Sequence, residues 1–140
     1  MTLAEFKPRS PRSNWIPALL VLGAVLAGFA YAQGWTPSDV QIAKLESGLK
    51  LDQLPRWNHA LPPLAGYARY YTGSTKDGDE VILGELVVPI GSSPKMQPGI
   101  HIVGNRAGFP RIFDGGCAIV TLAYSVKQQR IISIGCNGFA

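Results

Sequence analysis

Two cysteines, two histidines and a few closely spaced acids and aromatics are the residues of this 140-residue chain whose types could do chemistry. Cys117 and Cys136 flank an apolar run with a polar tip, a placement that suits a disulfide in an oxidising compartment. A nucleophilic cysteine would need a neighbouring histidine or a helix N-terminus to lower its pKa, and the pattern supplies neither. His59 and His101 stand far apart, with no cysteine or carboxylate at ligand spacing, so no metal site is expected. Asp77, Asp79 and Glu80 crowd together, but at a turn where water solvates them. Gly104-Asn105-Arg106-Ala107-Gly108 has the glycines of a phosphate loop without its lysine, its hydroxyl or a following helix. G-x-S-x-G, H-E-x-x-H, C-x-x-C and the dinucleotide and Walker glycine patterns are absent from the sequence. The expectation is a protein that is not an enzyme, with no catalytic residue and no cofactor.

Aromatic side chains offer the alternative of binding. Trp57, Tyr67, Tyr70 and Tyr71 are the candidate protein-binding residues. Trp57 sits with His59 and Leu61 among Pro55, Pro62 and Pro63, which forbid regular structure. This stretch reads either as an exposed polyproline arm or as a loop whose tryptophan packs inward. The three tyrosines read either as a platform or as cross-strand packing partners.

These residues need elements to position them. Thr36-Pro37-Ser38-Asp39 places a hydroxyl, a proline and an acid in the order of a helix start. Ile42, Leu45 and Leu49 then share a face while Lys44, Glu46 and Lys50 point away, so an amphipathic helix of about four turns is expected from Thr36 to Leu51. Gly66 to Val88 has the alternation of a hairpin, with Asp77-Gly78 as its turn pair. Ile100 to Val103 reads as a short strand. Cys117 to Val126 and Arg130 to Cys136 form a second hairpin, apolar on both faces, that belongs at the sheet centre. A tip centred between Val126 and Lys127 sets Cys117 directly opposite Cys136, whereas a four-residue loop Val126 to Gln129 sets Cys136 beside Ile119 and leaves Cys117 one step diagonal. The disulfide then requires a bulge or twist near Gly115-Gly116 or Gly135.

The N-terminal third carries a different signal. No charge lies between Trp15 and Trp35, and Lys7, Arg9 and Arg12 precede the stretch against Glu5 alone. About twenty residues of helix rise about 30 Å, the thickness of the hydrocarbon core, which puts Trp15, Tyr31 and Trp35 at the two membrane interfaces. Ala24, Gly28 and Ala32 recur at helical spacing as a groove for another helix. Ala30-Tyr31-Ala32 is also a cleavage signature, so the segment is either a signal anchor or a signal peptide. Either reading keeps the basic flank in the cytoplasm and exports the rest.

From Gln33 onward the chain has ten basic and eight acidic residues, a balance of +2. That is too little positive charge for a nucleic-acid surface, and no nucleic acid is expected as a partner.

The expected organisation is a cytoplasmic tail at 1–14, a transmembrane signal anchor or signal peptide at 15–35 and a periplasmic α+β domain at 36–140. The domain should pack one helix on a four- to five-stranded antiparallel sheet. This layout resembles accessory subunits of bacterial membrane assemblies, and cystatin-like or NTF2-like rolls. The resemblance implies an accessory or assembly subunit of a bacterial inner-membrane complex, in contact with lipid and other membrane subunits. The alternative is a periplasmic binding or inhibitor module released by cleavage after Ala32.

Overall fold

The computed structural model describes residues 34–54, 61–91, 94–113 and 115–138. Trp15, Ala24, Gly28, Tyr31, Ala32 and Trp57, with the tail at 1–14, lie outside the described residues. One helix, α1 (Asp39–Ser47), precedes β1 (Ala68–Lys76), β2 (Asp79–Val87), β3 (Gly99–Ile102), β4 (Ile119–Ser125) and β5 (Arg130–Cys136). The strands form one sheet in the order β3-β1-β2-β4-β5. Among the described residues no helix is long and apolar enough to cross a membrane.

The helix starts later and stops sooner than its sequence suggests. Ser38, not Thr36, is the N-cap: its Oγ accepts from the Gln41 N–H at 3.3 Å, and the Gln41 side chain accepts the Ser38 N–H at 2.8 Å. A closed capping box outcompetes a lone threonine, because it satisfies two orphan donors at once. Gly48 ends the helix after 9 residues, where glycine costs a helix interior about 1 kcal/mol relative to alanine. Leu49 and Leu51 still pack against the core, Leu51 from a single 3-10 turn at Leu51–Gln53.

Before the helix, Gly34 and Trp35 run along the edge of β1. The Gly73 N–H donates to the Trp35 carbonyl at 2.9 Å, and the Trp35 indole Nε1–H donates to the Ser74 carbonyl at 3.0 Å. Glycine is required at Gly73, since a Cβ there would come within 2.6 Å of the indole Cε2. Trp35, expected at a membrane interface, is tied by these bonds to the sheet. The extended residues between it and α1 break any continuous helix across this point.

The first hairpin is as expected. Asp77 (φ 52°) and Gly78 (φ 81°) both take left-handed backbone, and Lys76 pairs with Asp79 across the two-residue turn. The sheet as a whole is mixed rather than antiparallel, because β3 runs parallel to β1. Val87 ends β2 beside Ala68, and Gly99 begins β3 beside the same residue, so residues 88–98 need only pass one end of the sheet. Val103, Phe109 and Ile112 then pack over one face, and β4 begins with Ile119 next to Val87.

The second hairpin puts β4 inside the sheet but leaves β5 at its edge, a correction to the central position expected of both strands. Ser125 pairs with Arg130 and Tyr124 with Ile131, the register of the four-residue loop rather than that of the tip centred at Val126 and Lys127. A bulge between Ala123 and Tyr124 then shifts the ladder by one, setting Cys136 opposite Val120. Cys117 leaves the strand on a 3-10 turn at Gly116–Ala118, entered through left-handed Gly115 (φ 128°) and Gly116 (φ 53°). That turn swings it back to Cys136, and the Cys117–Cys136 disulfide forms with Cα atoms 4.4 Å apart.

One face of the sheet buries Tyr67, Tyr71, Ile82, Leu86, Val120, Leu122 and Tyr124 against Ile42, Leu45 and Leu54. Gly84, opposite both Tyr71 and Leu122, leaves the space their side chains fill. The other face packs Ala68, Tyr70, Val87 and Ile119 beneath Phe109 of the returning loop. Replacing both cysteines with serine should lower stability by about 3 kcal/mol, the chain-entropy value for a loop of this size. The shift in urea midpoint against the oxidised protein measures it.

Candidate functional site

Each face of the sheet carries one buried polar system. On the helix side, Arg69 Nη1 meets Glu46 Oε2 at 2.7 Å and the Tyr71 hydroxyl donates to Glu46 Oε1 at 3.0 Å. Glu46, expected to point away, instead turns to the sheet because β1 supplies two donors for its two oxygens. The paired side chains are only 14% and 16% exposed, so this charge-assisted tie outweighs the solvated Lys127–Asp79 pair at 3.3 Å. Burial first, and the Glu46 carboxylate second, push the Tyr71 phenol well above its ordinary value. Tyr67 is buried beside it, and its hydroxyl has no hydrogen-bond partner among the described residues.

On the other face the strand registers align a polar row. His101 sits beside Tyr70, Tyr70 beside Glu85, and Glu85 beside Thr121, across four adjacent strands. The Tyr70 and His101 rings stack at 4.8 Å between centroids and 18° between planes. His101 Nε2 lies 2.9 Å from the Gln97 carbonyl, which fixes it as the protonated, donating nitrogen. Glu85 Oε1 is sealed from solvent and receives no hydrogen bond among the described residues. Desolvation raises the Glu85 carboxyl above the usual range, opposed by the Arg106 guanidinium. Desolvation and then the Glu85 charge raise the Tyr70 phenol.

Val103, Phe109 and Ile112, between β3 and β4, roof this face. Asn105 caps its turn by accepting the Ala107 N–H at 2.9 Å, and Asn137 Nδ2 donates to the Ile112 carbonyl at 2.9 Å. Phe109 hangs from the roof between two recesses. The larger, about 640 Å³, is lined by Tyr70, Met96, His101, Val103, Phe109 and Arg111. The smaller, about 190 Å³, lies over Glu85 and Thr121 and beneath Arg106.

The expected site residues are therefore dispersed. Tyr67 and Tyr71 lie in the helix-side core, each 0% exposed, so the three tyrosines do not form one platform. Alternation explains this, since Tyr70 must face away from Tyr71. Cys117 and Cys136 are joined at the far end of the sheet from the first hairpin turn. Glu85, Thr121, Arg106 and Arg111 carried no sequence signal, because only the register brings them to His101 and Tyr70. Among the described residues no group of three or more histidines, cysteines and acids gathers to hold a metal ion. No family model, curated protein or solved structure matches the chain.

These buried groups make stability depend on pH. An acid or phenol whose folded pKa is raised contributes stability that is whole below its unfolded value and lost as pH rises through the folded one. For Tyr71 the window opens above pH 10.0. Tyr71→Phe should cost about 1 kcal/mol at neutral pH and flatten the alkaline decline, whereas Tyr67→Phe should be close to neutral. Urea titrations across pH separate the two. For Glu85 the window opens above 4.5. Glu85→Gln should melt higher than the wild type at pH 7, with the gap closing as pH falls below that value.

Proposed function

We propose that this chain is a non-enzymatic accessory or assembly subunit of a bacterial inner-membrane complex. It crosses the membrane once and presents its α+β domain to the periplasm. The observation that carries the reading is the Cys117–Cys136 disulfide. Such bonds persist in oxidising compartments, and an uncharged stretch behind a basic flank is the sequence of an exported chain. Membrane lipid and other integral membrane subunits are the partners of this reading, engaged through the Ala24, Gly28 and Ala32 face of the span. A role without turnover is supported by the sequence, which carries no nucleophile, zinc or nucleotide motif. The hydroxyls of Thr72 and Ser125 bond to backbone rather than to a base.

A second reading draws on Gly34 and Trp35. Gly34 lies close against Gly73, and the sheet holds Trp35 three residues after Ala32. Cleavage after Ala32 would release an intact periplasmic binding or inhibitor module beginning at Gln33.

Intact mass after cell fractionation decides between them. A Met1 start in the membrane fraction, with the cysteines oxidised, is the expected result. A Gln33 start in the soluble periplasm overturns the subunit reading in favour of the released module. Reduced thiols in the cytosol overturn export altogether.

A further inference from the structure

Gly34, at the end of the uncharged N-terminal stretch, is held against the start of the roof. A methyl group there would collide with the Gly104 carbonyl oxygen and come within 2.9 Å of the Gly73 carbonyl oxygen, so the backbone at Gly34 lies close to both β1 and the residues that follow β3. On the subunit reading the bilayer surface falls at this point. Residues 103–113 then begin beside it.

Those residues have the composition of a surface that rests on lipid. They include Arg106 and Arg111 and no acid. Both arginines are exposed, and neither is in an ion pair among the described residues. Phe113 is 92% exposed, more than any other large apolar side chain among the described residues. Its backbone is nonetheless anchored, because Ile112 packs on the sheet face and the Ile112 carbonyl accepts a hydrogen bond from Asn137 Nδ2 at 2.9 Å. An aromatic ring held in water beside guanidinium groups gains from an anionic bilayer, which takes the ring at the acyl boundary and the charges at its phosphates.

Charge decides which side of the domain is laid down. The first hairpin turn is also near the strap, since the Trp35 indole is bonded to the Ser74 carbonyl. That turn holds Asp77, Asp79 and Glu80 against Lys76 and Lys127, and α1 on the opposite face holds Asp39 and Glu46 against Lys44. An anionic surface attracts neither of these and attracts the roof.

We propose that residues 103–113 lie on an anionic phospholipid surface, with Arg106 and Arg111 on its phosphates and Phe113 between its headgroups. The loop-covered face of the sheet is thereby turned to the bilayer. The inference rests on the subunit reading and adds to it the orientation of the domain.

The test uses the intact chain, with its disulfide formed, in nanodiscs of phosphatidylcholine with or without phosphatidylglycerol, read by amide hydrogen exchange. With phosphatidylglycerol present, the amides of residues 104–113 should exchange about tenfold more slowly, the effect expected of two arginines at a charged surface. The turn at residues 76–79 should exchange alike in both discs. Raised salt should remove the slowing, as should Arg106→Gln combined with Arg111→Gln, and Phe113→Ser should reduce it. All three side chains are exposed, so an unchanged urea midpoint is expected of each variant. Equal exchange at 104–113 in the two discs, slowing confined to the turn, or full slowing in the arginine double variant would each overturn the inference. A chain retained in the discs with Met1 in place but without the slowing fails this inference alone, whereas a chain that leaves the discs fails the subunit reading and the inference with it.

Discussion

β1 has two edges, and three partners compete for them. β2 takes one edge along its whole length, from Ala68 to Lys76. The other is shared: β3 pairs with it from Ala68 to Tyr71, and Gly34-Trp35 continues from Gly73 onward. This division fixes the rest of the domain. It ends β3 after four residues, forces the chain back across the sheet to reach β4, and so makes the roof over the polar row. It also directs α1 down the opposite face, where Glu46 meets Arg69 and Tyr71.

The two faces handle buried polarity differently. On the helix side each oxygen of Glu46 has a donor, so the charge is retained and orients the helix. On the loop side Glu85 has a sealed oxygen without a donor among the described residues and a guanidinium that does not pair with it directly. Neither face is fully satisfied, since the Tyr67 hydroxyl and Arg69 Nε on the helix side also lack partners among the described residues. The difference is that on the helix side both oxygens of the acid itself are answered by donors.

Local patterns in the chain foretold the hairpins, and long-range pairing escaped them. Asp77-Gly78 could be read directly, because a two-residue turn needs left-handed backbone that few residues tolerate. The register near Ser125 and Arg130 is one of the two that the hairpin tip allowed, and with it the glycines at 115 and 116 turn Cys117 toward its partner. What was illegible had a common cause. Parallel pairing of β3, the edge position of β5 and the inward turn of Glu46 all depend on partners more than twenty residues away. The polar row suffers most, since His101, Tyr70, Glu85 and Thr121 share a line only once four strands are registered.

The way Trp35 is fastened has a mechanical consequence. Tension arriving along the chain from its N-terminal side meets the Gly73 and Ser74 contacts before it reaches α1 or the main ladder. These two bonds would break successively, as in unzipping, and the released length of chain would absorb the pull. Only once Trp35 has let go would the pull reach α1 and the Glu46 tie, so this strap is the first part of the domain to bear load.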